Sequence, residues 1–458
     1  MNVLIIGAGR IGSKVIQTLE MDRTEITVVD SNYDALVSIN SNKMIKTIVG
    51  NGMDDEIIDS LNIPSYDYVL ALTDSDKTNI LVSRRLKDLG AKFTIARVNS
   101  TESIYELFEL KESLGIDYVI NPKLETAKVI HNMIENEVNY ISDTFGNGKI
   151  EAVGHLVEVG SEYENKKLSE IGSLSTLLVA AIDRKNKLII PSGDTVIEEG
   201  DYLYLIGLRK DIIKFKSVNF KFEIKSNNKD IIILGANGTT IELAKSLSKY
   251  NVKLIVQDSN PLRNIQNILP DTLVVRQKMK GAKFFENEEI ENCDYLLVLT
   301  EDDELNISLS LMAKKYGAGT VISKIESLSY SRIFDELNFV TLNPLMITAN
   351  AIIKTIRRGN GISIHLMFGG KAEVSEIKIG ENLEIIGKTM QEINLPKGIL
   401  IGGIVRENGI VVIPRGKTKI EKNDTLVIFC TNENRRQLVK FINPKEERGF
   451  LSEIFLYQ

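Results

Sequence analysis

Residues 1–12 read MNVLIIGAGRIG, an apolar run that leads directly into a loop with the spacing Gly-x-Gly-x-x-Gly. The apolar run is typical of a buried β-strand, and the following residues, SKVIQTLE, are typical of a helix. A strand, this loop and a helix in succession form the fingerprint of dinucleotide-binding folds. The opening stretch therefore predicts a strand, loop and helix unit that binds phosphates.

The glycines of this loop are expected to have separate roles. Gly7 permits a tight turn, Gly9 lets the backbone approach a pyrophosphate, and Gly12 lets the helix pack closely on the strand. The N-terminus of the helix offers free N–H groups and the positive end of the helix dipole to the phosphates. The predicted cofactor-binding loop also contains the residues between the glycines, Ala8, Arg10 and Ile11.

An acidic residue, Asp30, ends the next predicted strand, EITVVD, at about the distance of twenty residues that the fingerprint requires. Its carboxylate would accept hydrogen bonds from both hydroxyls of an adenosine ribose and would repel a 2′-phosphate, which favours NAD over NADP. ATP and ADP carry the same ribose diol, so Asp30 does not separate them from NAD. A strand-terminal carboxylate in solvent is the alternative interpretation.

Three further polar residues follow later predicted strands, whose carboxyl ends form the ligand-binding edge of such sheets. Asn51 is a candidate for hydrogen bonding to adenine, or else a residue of an ordinary strand-to-helix turn. Thr73 lies across the topological switch point, but its spacing to Asp76 also fits helix capping. Arg97 is a candidate ligand of a terminal phosphate, and a solvated surface arginine is the alternative.

The opening pattern recurs as DIIILGANGTT at residues 230–240, and later landmarks recur at a nearly constant spacing. YVLALTDSDKTN matches YLLVLTEDDELN, and the strand-rich LLVAAIDRKNKLIIPSGDTVIEEGDYLYLIG matches ILIGGIVRENGIVVIPRGKTKIEKNDTLVIFC. The chain therefore consists of two long units, A and A′, and two short units, B and B′, in the order A, B, A′, B′.

The two kinds of unit predict different folds. The A units alternate short apolar strands with amphipathic helical stretches, which indicates a Rossmann-like, doubly wound parallel sheet. The B units have β-branched runs separated by turn residues and are expected to be small α+β domains. The fold class is therefore α/β, with two Rossmann-like domains alternating with two small α+β domains. The predicted boundaries are 1–122 for A, 123–143 for a connecting helix, 144–222 for B, 229–344 for A′, 345–359 for a second connecting helix, 360–447 for B′ and 448–458 for a C-terminal tail.

The loop of A′ is eroded. It keeps the first glycine, Gly235, but Asn237 crowds the place of the pyrophosphate, and Thr240 places a β-branched side chain where helix and strand should touch. Asp258, Thr300 and Lys324 keep acidic, hydroxyl and basic character at the remaining positions. The predicted second site is degenerate, with weak, altered or absent nucleotide binding, and consists of Gly235, Asn237, Asp258, Thr300 and Lys324.

Composition limits the class of protein. The 458 residues are 43% hydrophobic and 26% charged, as in ordinary globular proteins of several domains. The net charge of −6 argues against general attraction to nucleic acid or to an anionic bilayer. We expect no signal peptide and no membrane span, so that action at a membrane would need a partner. Cys293 and Cys430 are expected to be buried, without a disulfide or a metal.

An NAD-dependent dehydrogenase is the alternative from another functional class. Such an enzyme presents a proton-transfer group to the nicotinamide, but the three histidines, His131, His155 and His365, stand in no recognisable catalytic pattern. No catalytic residue is therefore predicted. A free-standing nucleotide-binding scaffold is a third interpretation, which differs from a regulatory subunit only in its partner.

The combined order of motifs resembles the RCK (KTN) regulatory domains of potassium transport. The glycine-rich loop, Asp30, the block Thr73–Asn79, the ARV strand around Arg97 and the pair Asn121–Pro122 carry the resemblance, together with the ending EEGDYLYLIG of unit B. The tandem order is similar to that of the TrkA family, the cytosolic regulatory subunits of Trk-type potassium uptake systems. The resemblance covers essentially the whole chain.

The resemblance implies a function without catalysis. The A units would be RCK_N domains that bind NAD(H) or ATP/ADP as a regulatory ligand, and the B units would be RCK_C domains with a second ligand site and assembly contacts. The chains would form a homotetramer that gates a TrkH-like membrane potassium channel subunit, in the cytoplasm and peripheral to the membrane through that partner. The family's nucleotide contacts fall on Gly7, Gly9, Gly12, Asp30, Asn51, Thr73 and Arg97.

Overall fold

A computed structural model describes most of the chain. The described residues are 1–21, 24–39, 44–101, 104–135, 142–146, 148–157, 160–171, 176–184, 187–219, 229–257, 262–327, 330, 339–358, 363–367, 372–379, 385–431, 434, 437–438 and 441. The chain divides into two compact units, which are described separately below. The A–A′ unit contains Met1–Asn139 and Glu223–Ile353, and the B–B′ unit contains Tyr140–Phe222 and Lys354–Gln458. Each unit thus combines the two copies of one repeat.

The first half of the A–A′ unit is a six-stranded parallel sheet in the order β3-β2-β1-β4-β5-β6. Its strands are β1 (Asn2–Ile6), β2 (Glu25–Asp30), β3 (Ile45–Val49), β4 (Tyr68–Ala71), β5 (Thr94–Arg97) and β6 (Tyr118–Ile120). Its helices are α1 (Arg10–Met21), α2 (Tyr33–Val37), α3 (Asp55–Asp59), α4 (Asp76–Asp88), α5 (Ile104–Leu110) and α6 (Pro122–Glu135). The strand order reverses between β1 and β4, which is where ligands bind in such sheets.

The second half repeats this sheet in the order β14-β13-β12-β15-β16-β17. Its strands are β12 (Asp230–Leu234), β13 (Asn251–Val256), β14 (Leu273–Arg276), β15 (Tyr295–Val298), β16 (Thr320–Lys324) and β17 (Val340–Leu342). Its helices are α8 (Gly238–Ser246), α9 (Leu262–Ile268), α10 (Ala282–Asn287), α11 (Asp303–Lys315) and α12 (Pro344–Arg358). The prediction of two doubly wound parallel sheets is confirmed.

Burial explains why both central strands read as continuous apolar runs. Val3, Leu4 and Ile5 in β1 are fully buried, because helices cover both faces of the sheet and leave no strand face in water. In β12, Ile233 and Leu234 are fully buried in the same way. A strand buried on both faces has no need of alternating polar residues.

Each half of the B–B′ unit is an antiparallel five-stranded sheet. In B the order is β10-β9-β11-β8-β7, formed by β7 (Ser142–Phe145), β8 (Ile150–Leu156), β9 (Leu178–Arg184), β10 (Lys187–Ile189) and β11 (Tyr202–Leu208), with helix α7 (Arg209–Asn219). In B′ the order is β18-β19-β22-β20-β21, formed by β18 (Ser363–Met367), β19 (Ala372–Lys378), β20 (Ile399–Val405), β21 (Val411–Val412) and β22 (Thr425–Thr431). The prediction of two small strand-rich domains is confirmed.

The two B sheets share one hydrophobic core. Phe145 and Ile206 of B lie in the same buried cluster as Val427 and Phe429 of B′. The backbone N–H of Gly146 also donates to the carboxylate of Glu376 across this contact, with a distance of 2.5 Å. The two small domains therefore pair within one chain.

A buried ion pair explains the recurring acidic turn of the B units. Asp201, in EEGDYLYLIG, is fully buried and accepts two hydrogen bonds of 2.8 Å from the guanidinium of Arg184. In B′, Arg406 makes the corresponding contact with Asp424 at 2.5 Å. Because a buried carboxylate without a partner is costly, the acid and the arginine must be retained together.

Helices α6 and α12 overlap the predicted connecting helices but begin one residue earlier, at Pro122 and Pro344. In both, the preceding asparagine caps the first turn, since Asn121 accepts from the N–H groups of Lys123 and Leu124, and Asn343 from that of Met346. The predicted tail at 448–458 lies outside the described residues, as do residues 220–228 between B and A′. Among the described helices, none has both the length and the apolar character required to cross a membrane.

Both cysteines are buried and free, as predicted. Removal from water raises the pKa of Cys293 to about 12, and burial also raises the pKa of Cys430. Both thiols are therefore protonated at neutral pH, and a neutral thiol is a poor nucleophile.

We predict that neither cysteine of the folded chain reacts with Ellman's reagent at pH 8, whereas two thiols per chain react in concentrated guanidinium chloride. Absorbance of the released thiolate measures both values. Stoichiometric labelling of the native protein within seconds would contradict the burial of these side chains.

Candidate nucleotide site

The glycine-rich loop joins β1 to α1 at the switch point of the first sheet. Gly7 has φ = +108°, and a Cβ atom on it would lie 2.8 Å from the backbone nitrogen of Thr73. A Cβ atom on Gly12 would lie 2.1 Å from the carbonyl oxygen of Gly7. Gly9 has open space around its Cβ position. The first and third glycines are therefore required for packing, whereas the second borders space that a ligand can occupy.

The backbone N–H groups at the start of α1 are open. Within the described part of the chain, the amides of Gly9, Arg10 and Ile11 donate to no hydrogen-bond acceptor. Helix α1 is twelve residues long, so these amides stand at the positive end of a full helix dipole. This arrangement can hold a phosphate group without any change in the loop.

Asp30 lies at the end of β2 and is tied to the loop rather than free in solvent. One carboxylate oxygen accepts from the N–H of Ala8 at 2.6 Å, and the other accepts from the N–H of Asn32 at 2.7 Å. Each oxygen has a further lone pair, so the carboxylate can still accept the hydroxyls of a ribose. The same contacts fix the loop against the neighbouring strand.

Asn51 lies beyond the end of β3, in a turn. Its side-chain oxygen accepts from the N–H of Met53 at 3.1 Å, and its carbonyl oxygen accepts from the N–H of Asp54 at 2.9 Å. These are the hydrogen bonds of an ordinary strand-to-helix turn, which was the alternative interpretation. Among the described contacts, none joins the Asn51 side chain to the loop or to Asp30.

Thr73 lies at the end of β4 and is bound to a buried asparagine. Its N–H and its hydroxyl both donate to the side-chain oxygen of Asn79, at 2.9 and 2.6 Å. The amide of Asn79 in turn donates to the carbonyl oxygens of Thr73 and Arg97, at 2.9 and 2.8 Å. The N-cap of α4 is Ser75, so the alternative interpretation that Thr73 caps this helix is wrong.

Arg97 ends β5, and its side chain is only 14% exposed, so the alternative of a solvated surface arginine is wrong. The guanidinium contacts Asp74 at 2.7 Å, but the side chain of Asp74 is 90% exposed and is free to move away. The Nε atom of Arg97 is buried without a hydrogen-bond partner. An arginine with an unused buried donor and a loosely held partner is suited to bind an added anion.

The loop of the second copy closes on itself. The N–H of Asn237 donates to the hydroxyl of Thr240 at 2.9 Å, and the N–H of Thr240 donates to the side-chain oxygen of Asn237 at 3.1 Å. The Asn237 amide also donates to the carbonyl oxygen of Leu299 at 2.7 Å. This capping box satisfies the amides of Asn237 and Thr240, whereas the amide of Gly9, which matches Asn237, is open in the first copy.

Two further predicted residues of the second copy, Thr300 and Lys324, are also engaged in contacts within the fold. Thr300 is bound to Asn306 as Thr73 is to Asn79, with a hydroxyl to oxygen distance of 2.6 Å. Lys324 is 6% exposed and forms an ion pair with Glu301 at 2.7 Å. Gly235, with φ = +124°, keeps the tight turn, and Asp258 lies outside the described residues.

Four of the predicted elements meet at one edge: the loop, Asp30, Thr73 and Arg97. Sequence reasoning missed the residues that hold them, above all Asn79, which is fully buried. The role of Asp76 also differs from the capping that its spacing to Thr73 suggests, because its carboxylate accepts from the N–H groups of Asn99 and Ser100 at 2.8 Å. The recurrence of this acid and asparagine in both copies was the available signal.

The histidines form no common site among the described contacts. His155 lies in the core of B, edge-on to Tyr163 and Phe215 with ring centroids 5.6 and 5.0 Å away. His131 is on α6, and the side chain of His365 lies outside the described residues. Within the described part of the chain, no three His, Cys, Asp or Glu side chains are grouped to hold a metal ion.

Known structures share this architecture. The GsuK RCK domain is 18% identical, with a TM-score of 0.54 over 97% of this chain and 95% of that chain. The GsuK channel bound to NAD has the same identity and TM-score, over 97% of this chain and 79% of that chain. At this identity the likeness shows the fold.

Sequence comparisons identify the family. The TrkA-N domain model matches residues 3–122 and 231–342, and the TrkA-C domain model matches residues 153–218 and 374–443. The Trk system potassium uptake protein TrkA of Halomonas elongata is 29% identical over 95% of this chain and 97% of that protein. A TrkA homolog of Methanosarcina mazei is 26% identical over 96% of this chain and 99% of that protein. The chain therefore belongs to the TrkA family, with its TrkA-N and TrkA-C domains present in tandem.

Proposed function

We propose that the chain is a cytosolic, nucleotide-sensing regulatory subunit of a Trk-type potassium uptake system. It binds NAD(H) or ATP/ADP at the first copy and gates a separate, TrkH-like membrane channel subunit. The observation that carries this proposal is the open loop at the switch point, where unbonded amides of α1 stand beside Asp30.

The chemistry of the site residues indicates where each part of the nucleotide binds. The pyrophosphate lies at the open amides of Gly9, Arg10 and Ile11, where the helix dipole favours negative charge. The ribose hydroxyls donate to Asp30. In this binding mode a terminal phosphate or the distal half of a dinucleotide reaches Arg97, whose buried Nε has no partner and whose contact with Asp74 is replaceable.

The second copy is proposed to bind nucleotide weakly or not at all. At its helix start, the capping box occupies the amides of Asn237 and Thr240, while those of Gly238 and Thr239 donate to no described acceptor. Its basic residue, Lys324, lies between two carboxylates, 2.7 Å from Glu301 and 3.7 Å from Glu326. A phosphate would have to displace the capping box and compete with two carboxylates for the lysine, whereas the matching amide of Gly9 in the first copy is open.

Gating follows if the nucleotide has different affinities for two arrangements of the subunit, since a ligand that binds both equally shifts no equilibrium. The curated relatives bear the name of potassium uptake proteins, and the homotetramer of tandem chains is proposed on the family resemblance. A membrane role is proposed only through the channel subunit.

The dehydrogenase alternative lacks support at the site. None of the described residues at the switch point is a histidine, and the carboxylate of Asp30 is hydrogen-bonded to the backbone N–H groups of Ala8 and Asn32. The regulatory proposal therefore expects binding without hydride transfer.

We predict that Asp30→Ala and Gly9→Glu each weaken NAD and ADP binding by about 100-fold or more, measured by titration calorimetry on the purified chain. Asp30→Ala removes two charge-assisted hydrogen bonds, each of about 1.5–3 kcal/mol. Gly9→Glu places a negative charge in the phosphate space, and its Cβ meets no atom within 4 Å, so the fold should tolerate it. Unchanged affinity in both variants, with native circular dichroism, would refute the site.

We predict that Asp258→Ala, the matched change in the second copy, alters nucleotide affinity less than twofold. The reason is that the first copy supplies the binding site. Equal losses for Asp30→Ala and Asp258→Ala, or two binding sites of similar affinity per chain, would show that the second copy is functional.

We predict that the tagged chain, expressed in its native host, co-purifies with an integral membrane potassium channel subunit, and that it reduces no NAD in the presence of a panel of hydroxy acids. Mass spectrometry identifies the partner, and absorbance at 340 nm follows NADH. Steady hydride transfer to NAD would support the enzyme class instead.

A further inference from the structure

An ion pair joins the predicted phosphate loop to the other copy of the fold. The guanidinium of Arg10, at the start of α1, contacts the carboxylate of Glu326, which follows β16 in the second copy. The side chain of Arg10 is 74% exposed and that of Glu326 is 27% exposed. A dissolved anion can therefore reach the guanidinium while the pair is formed.

Glu326 is held in place by its backbone. Its N–H donates to the carboxylate of Asp303 at 3.1 Å, and its carbonyl oxygen accepts from the side-chain amide of Asn343 at 2.8 Å. The nearest cation of its own copy, Lys324, lies 3.7 Å from the Glu326 carboxylate and is closer to Glu301, at 2.7 Å. The carboxylate is thus presented to Arg10 by a fixed backbone.

The reciprocal positions of the repeat lack both charges. In the alignment of the two copies, Gly238 matches Arg10 and Asn99 matches Glu326. The N–H of Asn99 donates to the carboxylate of Asp76. Gly238 does face the first copy, because a Cβ atom there would lie 2.6 Å from Lys123 and 3.0 Å from Thr101. The contact between copies is therefore repeated, but the ion pair exists in one direction only.

We propose that Glu326 is an internal competitor for the ligand phosphates of the first site, and that its release from Arg10 signals occupancy to the second copy. This inference rests on the proposed nucleotide site. A phosphate bound at the helix start lies beside the residue that carries the guanidinium, and the pyrophosphate as a whole bears more negative charge than a carboxylate. When the phosphate binds the guanidinium of Arg10, the ion pair between Arg10 and Glu326 breaks, and the contact between the two copies changes.

Glu326 is a positioning residue, because it acts on the ligand through Arg10. The effect on affinity is modest, since exposed ion pairs are weak. The energy that holds Arg10 to Glu326 is the energy that the phosphate must overcome, and by linkage the same free energy is transmitted back to the interface.

The test measures ADP affinity by titration calorimetry on the full chain, and adenosine affinity by competition with a fluorescent ADP analogue. The variants are Glu326→Gln, Arg10→Gln and the double variant, with Glu286→Gln, an exposed residue of α10, as a matched loss of one carboxylate in the same copy. We expect Glu326→Gln to bind ADP about two- to fivefold more tightly. Adenosine affinity is expected to stay unchanged, as is ADP affinity in Glu286→Gln.

The double variant gives the decisive comparison. If the carboxylate acts through Arg10, Glu326→Gln has no further effect on ADP affinity in the Arg10→Gln background. An unchanged or weakened ADP affinity in Glu326→Gln, an equal gain for adenosine, or the same gain without Arg10 would each overturn the inference. Failure of the wild-type chain to bind any nucleotide would instead overturn the proposed function itself.

Discussion

The carboxyl edge of each Rossmann-like sheet depends on one buried asparagine. Asn79 accepts from Thr73 and donates to the carbonyl oxygens of Thr73 and Arg97, so it joins the ends of two neighbouring strands at the switch point. Asn306 makes the same bonds in the second copy. A buried amide with all its hydrogen bonds satisfied admits few other arrangements. The loops that border the site are therefore held at a fixed separation in both copies, whether or not they bind a ligand.

Much of this fold was predictable because it depends on patterns that local chemistry enforces. The apolar run before Gly7 identifies a strand buried on both faces, and the repeat of that run identifies the second sheet. The site was less predictable, because the same residue types serve structure and binding. Thr73 and Asn51 engage in hydrogen bonds of the fold, whereas the side chain of Arg97 is mostly removed from solvent, and no local sequence pattern reports burial. Contacts between distant parts of the chain, such as Arg10 with Glu326, leave no periodic trace in a single sequence.

The two copies show how one fold can lose a binding loop without losing stability. The amide of Gly9 is open in the first copy, whereas in the second the side chains of Thr240 and Asn237 satisfy the matching amide of Asn237 and that of Thr240. Unbonded amides at a helix start are a cost that a ligand can remove, and a capping box removes it permanently. The substitutions that erode the fingerprint are thus stabilising substitutions for the helix, and the second copy is better described as a closed form of the loop than as a damaged one.

The shared core of the B–B′ unit has a consequence for assembly. Phe145 and Phe429 pack together although they belong to different repeats, and both repeats are carried by the same chain. Two such domains on separate chains would have to meet in solution, and their pairing would weaken on dilution. Fusion makes the encounter intramolecular, so the effective concentration is set by the linking segments rather than by expression level. The paired small domains should therefore persist at any abundance of the protein in the cell.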